Sequence, residues 1–263
     1  MKIALAIFAA AALTAAAQDS ALTKPQKKGY RTTLSAYIGQ KHSLGSAEFF
    51  ENYVLYFGGR KLNFPLGLSF GASAKIELLP DVRFGVHAER FTVAFADNYS
   101  QDVFRQPTDP TPSARRQIAQ NYTFTAMPVL LTAEFTPVAS VYRTYVGAGV
   151  GAAFGTMQWT ETLGSTDPFD KRKGGEYANG SIFGPAGAVY AGVELGFDRS
   201  VRDGDLISLT AEVRYTVIGI SEPLFAKAAE QFANPPQSWS ESVPIGASGL
   251  TLQLGLSFQF SPK

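Results

Sequence analysis

The chain has 263 residues, with 23 Lys plus Arg against 22 Asp plus Glu and no cysteine. That balance leaves no long-range field to attract nucleic acid, and the missing thiols exclude disulfide staples and cysteine metal sites. No stretch beyond the N-terminus approaches 18 continuous apolar residues, which excludes a helical membrane protein.

Residues 1–17 read as a secretory leader: Lys2, an apolar run interrupted only by Thr14, then Ala15-Ala16-Ala17 before Gln18. Residues 18–29 are expected to form an N-terminal periplasmic segment and residues 30–263 one β-domain. From Tyr30 onward, eight stretches alternate apolar and polar side chains, the period that sends neighbours to opposite faces of a strand. In an exported chain without staples the apolar face is read outward, towards lipid, and the polar face inward.

The first stretch, 30–40, turns Leu34, Ala36 and Ile38 out and Arg31, Thr33, Ser35 and Tyr37 in. The second, 65–79, sends Leu68, Phe70 and Ile76 out and Ser73, Lys75 and Glu77 in. After a tight Pro80-Asp81 turn, 82–96 places Phe84 and Val86 out and Arg83, His87 and Glu89 in. The fourth, 121–136, ends with Val129, Leu131 and Phe135 out and Glu134 in. The fifth, 141–156, sets Val146, Val150 and Phe154 against inward Tyr145 and glycines, with Arg143 also inward. The sixth, 182–197, sets Val189, Val193 and Phe197 against Tyr190, Gly192 and Glu194. The seventh, 205–219, turns Glu212 and Arg214 in. The eighth, 250–260, alternates without error: four leucines, Phe258 and Phe260 on one face, Thr251, Gln253, Ser257 and Gln259 on the other.

Two breaks in phase predict β-bulges, one near Glu89-Arg90 and one at Pro128, which cannot donate to a ladder. The connections alternate short with long, and 41–64, 97–120, 157–181 and 220–247 read as external loops. These features predict an all-β fold: an eight-stranded antiparallel up-and-down transmembrane β-barrel in a bacterial outer membrane, both termini periplasmic. Outward Phe84, Phe135, Phe197, Phe258 and Phe260 belong to its periplasmic aromatic girdle.

The inward charges Lys75, Glu77, Arg83, His87, Glu89, Glu134, Arg143, Glu194, Glu212 and Arg214 nearly balance in sign, as a self-pairing lumen network would. Glu134 and Arg143 are expected to pair across a short turn. Loop aromatics Phe49, Phe50, Tyr53, Phe57, Leu224, Phe225 and Phe232 either cap the mouth or line a vestibule for hydrophobic solutes, and 222–232 has helical apolar spacing. Arg105, Arg115-Arg116 and Lys171-Arg172-Lys173 are candidate contacts to lipopolysaccharide phosphates. His42-Ser43 and His87 are the residues an acyl-transfer enzyme would use, but neighbours on a strand point apart. No catalytic residue, metal ligand or cofactor site is assigned.

Four segments resemble the small outer-membrane β-barrel superfamily, the porin-like group that contains the membrane domain of OmpA, OmpX and OmpW. They are 127–135, 145–151, 211–215 and the terminal strand ending at Phe260. The resemblance implies insertion by the barrel assembly machinery, which reads a last strand with a terminal aromatic, here Phe258 and Phe260. Membrane lipid and lipopolysaccharide are the implied partners, with a hydrophobic small molecule as a further candidate and no nucleic acid. The expected function is a non-enzymatic, loop-presenting structural or binding barrel with a filled lumen. The alternatives are a narrow channel or carrier for small hydrophobic solutes and, more remotely, a lipid A-modifying enzyme.

Overall fold

A computed structural model describes residues 31–79, 81–103, 112, 114–136, 142–164, 172, 174–197, 206–222, 225–226 and 242–260. The leader, residues 18–30, Leu224, Phe232, Arg105, Lys171 and Lys173 lie outside the described residues. In chain order the elements are β1 Arg31–Ser43, α1 Ala47–Phe57, β2 Gly67–Leu79, β3 Val82–Val103, β4 Ala114–Phe135, β5 Tyr142–Leu163, β6 Gly175–Gly196, β7 Leu206–Ile218, β8 Ser221–Glu222, β9 Val243–Pro244 and β10 Gly249–Phe260. Eight strands close into an antiparallel barrel in the order β1-β10-β7-β6-β5-β4-β3-β2, and β8 with β9 forms a separate small ladder. Closure between β1 and β10 leaves no open edge where the ring is complete.

The strands come in two lengths. β1, β2, β7 and β10 have 12 or 13 residues, whereas β3, β4, β5 and β6 have 22 each. A tilted strand crosses a bilayer in about 9–11 residues, so the four long strands run on past it as a standing wall. Two of the connections expected to be loops, 97–120 and 157–181, are largely the paired arms of this wall. The 41–64 connection contains α1, whose Phe49, Phe50, Tyr53 and Phe57 lie on one buried face and whose chain ends in left-handed Gly58.

Neither predicted bulge exists. The β3–β4 ladder keeps one offset from Val82↔Phe135 to Val103↔Ala114, omitting only the pairs beside Pro128. The β4–β5 ladder likewise keeps one offset from Phe135↔Val146 to Ile118↔Leu163. The strand does not slip; its environment changes. On β3 the inward positions run Arg83, His87, Glu89, then Phe91, Val93, Phe95, while the outward ones run Phe84, Val86, then Arg90, Thr92. β4 does the same, with Glu134 and Thr132 giving way to Phe124 and Tyr122 inside as Leu131 and Met127 give way to Thr125 and Thr123 outside. Below this level the barrel has a polar interior and an apolar exterior, as lipid demands. Above it the polarity is that of a water-soluble sheet. Leu131, Val150 and Phe183, at 67–69% exposure, mark the lower band.

Candidate functional site

The lower half of the barrel is filled by its own charged side chains. Lys75 Nζ donates to Glu134 Oε2 at 2.6 Å, and Arg83 bonds Glu134 and donates to Glu194 Oε1 at 2.8 Å. Arg143 lies 3.8 Å from Glu194 and donates to Gln259 Oε1 at 3.1 Å. Glu134 therefore does not pair with Arg143. It sits opposite Gly147, while Arg143 sits opposite Glu194, because the β4–β5 register stands four residues away from the one a 137–140 turn would set. The narrow bore then lets a side chain reach across it to non-neighbouring strands.

A second group centres on Glu212, which accepts from Arg214 Nη2 (2.7 Å), Tyr145 Oη (2.8 Å) and Gln253 Nε2 (2.6 Å). Tyr190 lies under the Arg214 guanidinium at 4.3 Å, and Lys75 lies 5.0 Å from the Tyr145 ring. Tyr145 faces Gly192 and Tyr190 faces Gly147 across β5 and β6. A Cβ at either glycine would strike the opposite tyrosine ring, so each ring lies over bare backbone. Higher up, Glu89 accepts from Thr251 at 3.1 Å, and buried Lys41 stands over Phe91 at 4.6 Å. Buried His87 packs near Tyr37, its two nitrogens without hydrogen-bond partners among the described residues. Glu77 stays half-buried at the lower rim, opposite Arg83.

Above the lumen the wall and α1 enclose an aromatic core. Among the described residues the Phe49 ring has seven aromatic neighbours, Phe50, Tyr53, Phe64, Phe95, Tyr122, Trp159 and Phe225, at centroid distances of 5.1–6.5 Å. Phe49, Phe50, Tyr53, Phe57 and Phe225 are each at most 2% exposed, so they form a packed interior in place of an open vestibule. Two polar clamps hold α1 to the wall. Asp97 accepts from Tyr53 Oη (3.0 Å), Arg60 N (3.0 Å) and Arg60 Nε (2.7 Å). Arg172 donates to Glu161 Oε1 (2.8 Å) and to the Phe57 carbonyl (3.3 Å) at the helix C-terminus. Burial opposes the charge on Arg172, but the hydrogen bonds and charge of Glu161 outweigh it and hold the guanidinium above its usual range. Burial, reinforced by Tyr99 and Asp97, pushes the Tyr53 phenol well up.

Arg172 is thus a buried clamp and not a surface contact for phosphate, and Arg116 also turns inward, towards Gln101. Arg115 is the exposed member of that pair. His42 points out and Ser43 in, so the strand keeps them apart, and His87 lies deep in the lumen. Among the described residues no group of three or more His, Cys, Asp or Glu is placed to hold a metal. The sequence reading missed Asp97, Glu161, Gln120, Trp159 and Lys41. The first four point inward on wall strands read as loop, and Lys41 lay one residue past the first predicted strand.

No protein-family profile matches the chain, and no curated protein matches it. Solved structures similar to it include the N-terminal β-barrel domain of Pseudomonas aeruginosa OprF, 11% identical, with a TM-score of 0.38, 89% of this chain and 100% of that one covered. The Yersinia pestis attachment invasion locus protein Ail, solved with the heparin analogue sucrose octasulfate, is 13% identical, with a TM-score of 0.38 and coverage of 89% and 100%. Neisserial surface protein A is 14% identical, with a TM-score of 0.35 and coverage of 87% and 94%. By its own ladder, a closed ring of eight antiparallel strands with charges within and a lipid-type band without, the chain has the fold of the small outer-membrane β-barrels.

Proposed function

We propose that the protein is a non-enzymatic barrel of the bacterial outer membrane, exported by its leader, with both termini periplasmic and the sheet-and-helix head outside. In this reading the barrel is an anchor and the head is the working part. The observation that carries it is the filled bore: Lys75, Arg83, His87, Glu134, Glu194, Glu212 and Arg214 are each at most 5% exposed, beneath an aromatic core in the head. Lipid and lipopolysaccharide surround the band, and the terminal strand with Phe258 and Phe260 is what the assembly machinery would engage.

The test is a planar-bilayer recording on refolded protein. A filled lumen gives no stable unitary conductance, with or without an added hydrophobic solute. Reproducible conductance would overturn the anchor reading in favour of a channel. For the enzymatic rival, lipid A from cells producing the protein should have an unchanged mass spectrum; a new acylation state would sink the non-enzymatic reading.

A further inference from the structure

The outer face of the wall has a composition that neither fold nor stability requires. On β3, β4 and β5, the fourteen outward positions between the lipid band and the tip are Thr, Ser, Asn, Gln or Ala without exception. Protein surfaces are roughly a quarter to a third charged, so about four charges are expected there. The same strands do carry charge, but Asp97, Arg116 and Glu161 are turned inward. On these three strands charges reappear outward only at the margins, Arg90 below and Asp102 and Arg115 at the tip, while β6 adds one carboxylate, Glu176, which accepts from Asn179 at 3.0 Å.

Register arranges these groups in ranks. Thr92, Thr125, Thr156 and Ser181 are successive partners across four strands, and the Thr92 and Thr125 hydroxyls lie 2.9 Å apart. One position higher, Thr123, Gln158 and Asn179 form the next rank. Ranks of hydroxyls and amides therefore recur about every 4.8 Å across the wall and every 6.8 Å up it. The lowest rank begins one outward position above Met127, Phe154 and Phe183 of the lipid band.

We infer that this face is a docking surface for the neutral sugar chain of outer-leaflet glycolipid. The occupant follows from continuity and charge. A molecule that touches the band and the face together has acyl chains joined to a polyhydroxyl head. Between its margins the face offers ranks of hydroxyl and amide donors and acceptors and no cation for phosphate. Protein interfaces draw their energy mainly from Trp, Tyr and Arg anchors, and this face has none. The inference rests on the orientation proposed above, with the head outside.

The chain has no cysteine, so single cysteines label cleanly. Thr123→Cys reports on the face, Leu44→Cys on the outer end of short strand β1 and Leu55→Cys on the exposed side of α1. The full protein is placed in phosphatidylcholine vesicles with either lipopolysaccharide bearing a long neutral sugar chain or its lipid A portion alone, and reacted with an impermeant maleimide. Hydrogen bonds of ordinary net strength slow labelling of Thr123→Cys about threefold to tenfold when sugar is present, while Leu44→Cys changes little. Adding Thr156→Glu and Gln158→Glu abolishes the protection. If that pair does not refold, Gln158→Glu alone replaces it.

Equal rates with and without sugar overturn the inference. So does protection that survives the acidic substitutions, which is crowding, or protection that follows protein density instead of sugar, which is self-association. Labelling of Leu55→Cys in intact cells reads orientation separately. Its failure there, with labelling after permeabilisation, would sink the orientation whatever the vesicles show.

Discussion

Glu134 is the residue whose removal most directly tests how the lumen is held. It is 2% exposed, and its two oxygens serve Lys75 and Arg83 from β2 and β3. Glu134→Ala leaves Arg83 with Glu194, but among the described residues Lys75 keeps only the faces of Tyr145 and Tyr190. Stranding a buried charge by deleting its partner costs about 3–5 kcal/mol, whereas replacing a buried pair by apolar groups of like volume is nearly neutral. Glu134→Ala should therefore lower the urea midpoint of the refolded barrel strongly, and Lys75→Met with Glu134→Leu should restore most of the loss. The assay is equilibrium urea unfolding in lipid vesicles, followed by the gel shift of folded barrel. If the double variant is as unstable as the single one, or if Glu134→Ala costs under about 1 kcal/mol, the lumen is not an interdependent ionic plug.

Three other outcomes follow from the packing. Phe49→Ala, in a Trp239→Phe background, should cost the head about 3–5 kcal/mol; Trp159 emission shifts red and α1 becomes open to protease, while the lower barrel keeps its gel shift. Because the Tyr53 phenol is pushed up in the folded head, its contribution to stability is whole below about pH 10, where a free tyrosine titrates, and is lost as pH rises beyond that. Urea titrations on Trp159 emission should show this alkaline loss in the parent and a shallower one in Tyr53→Phe. Gly192→Val drives a side chain into the Tyr145 ring and breaks its bond to Glu212. It should cost about 1–3 kcal/mol by overpacking, and Tyr145→Ala in the same chain should relieve part of that in the urea midpoint.

The lower barrel was legible because lipid imposes one rule on every strand. Residues 250–260 show it without error, and inward Lys75, Glu134 and Glu212 follow from parity alone. Which charge meets which was not legible, since Lys75 reaches Glu134 across β3, a matter of bore width and tilt that no single strand encodes. The head was misread for a definite reason. At Arg90 and Met127 the apolar face changes sides, and period-two reasoning cannot tell a slipped strand from a changed solvent. Strand propensity in Thr123, Thr125 and Thr160 was the available signal that pairing continues. The cluster Phe49, Phe50, Tyr53, Phe57 had helical spacing too, and was read only as aromatic content.

The register of β4 with its two neighbours, unbroken through two solvents, has a consequence for accuracy of assembly. Sliding β4 by one residue would push Glu134 into hydrocarbon and, higher on the same strand, bare Tyr122 and Phe124 to water. β4 is thus proofread twice along its length, by opposite criteria. An error tolerable in one medium is rejected by the other.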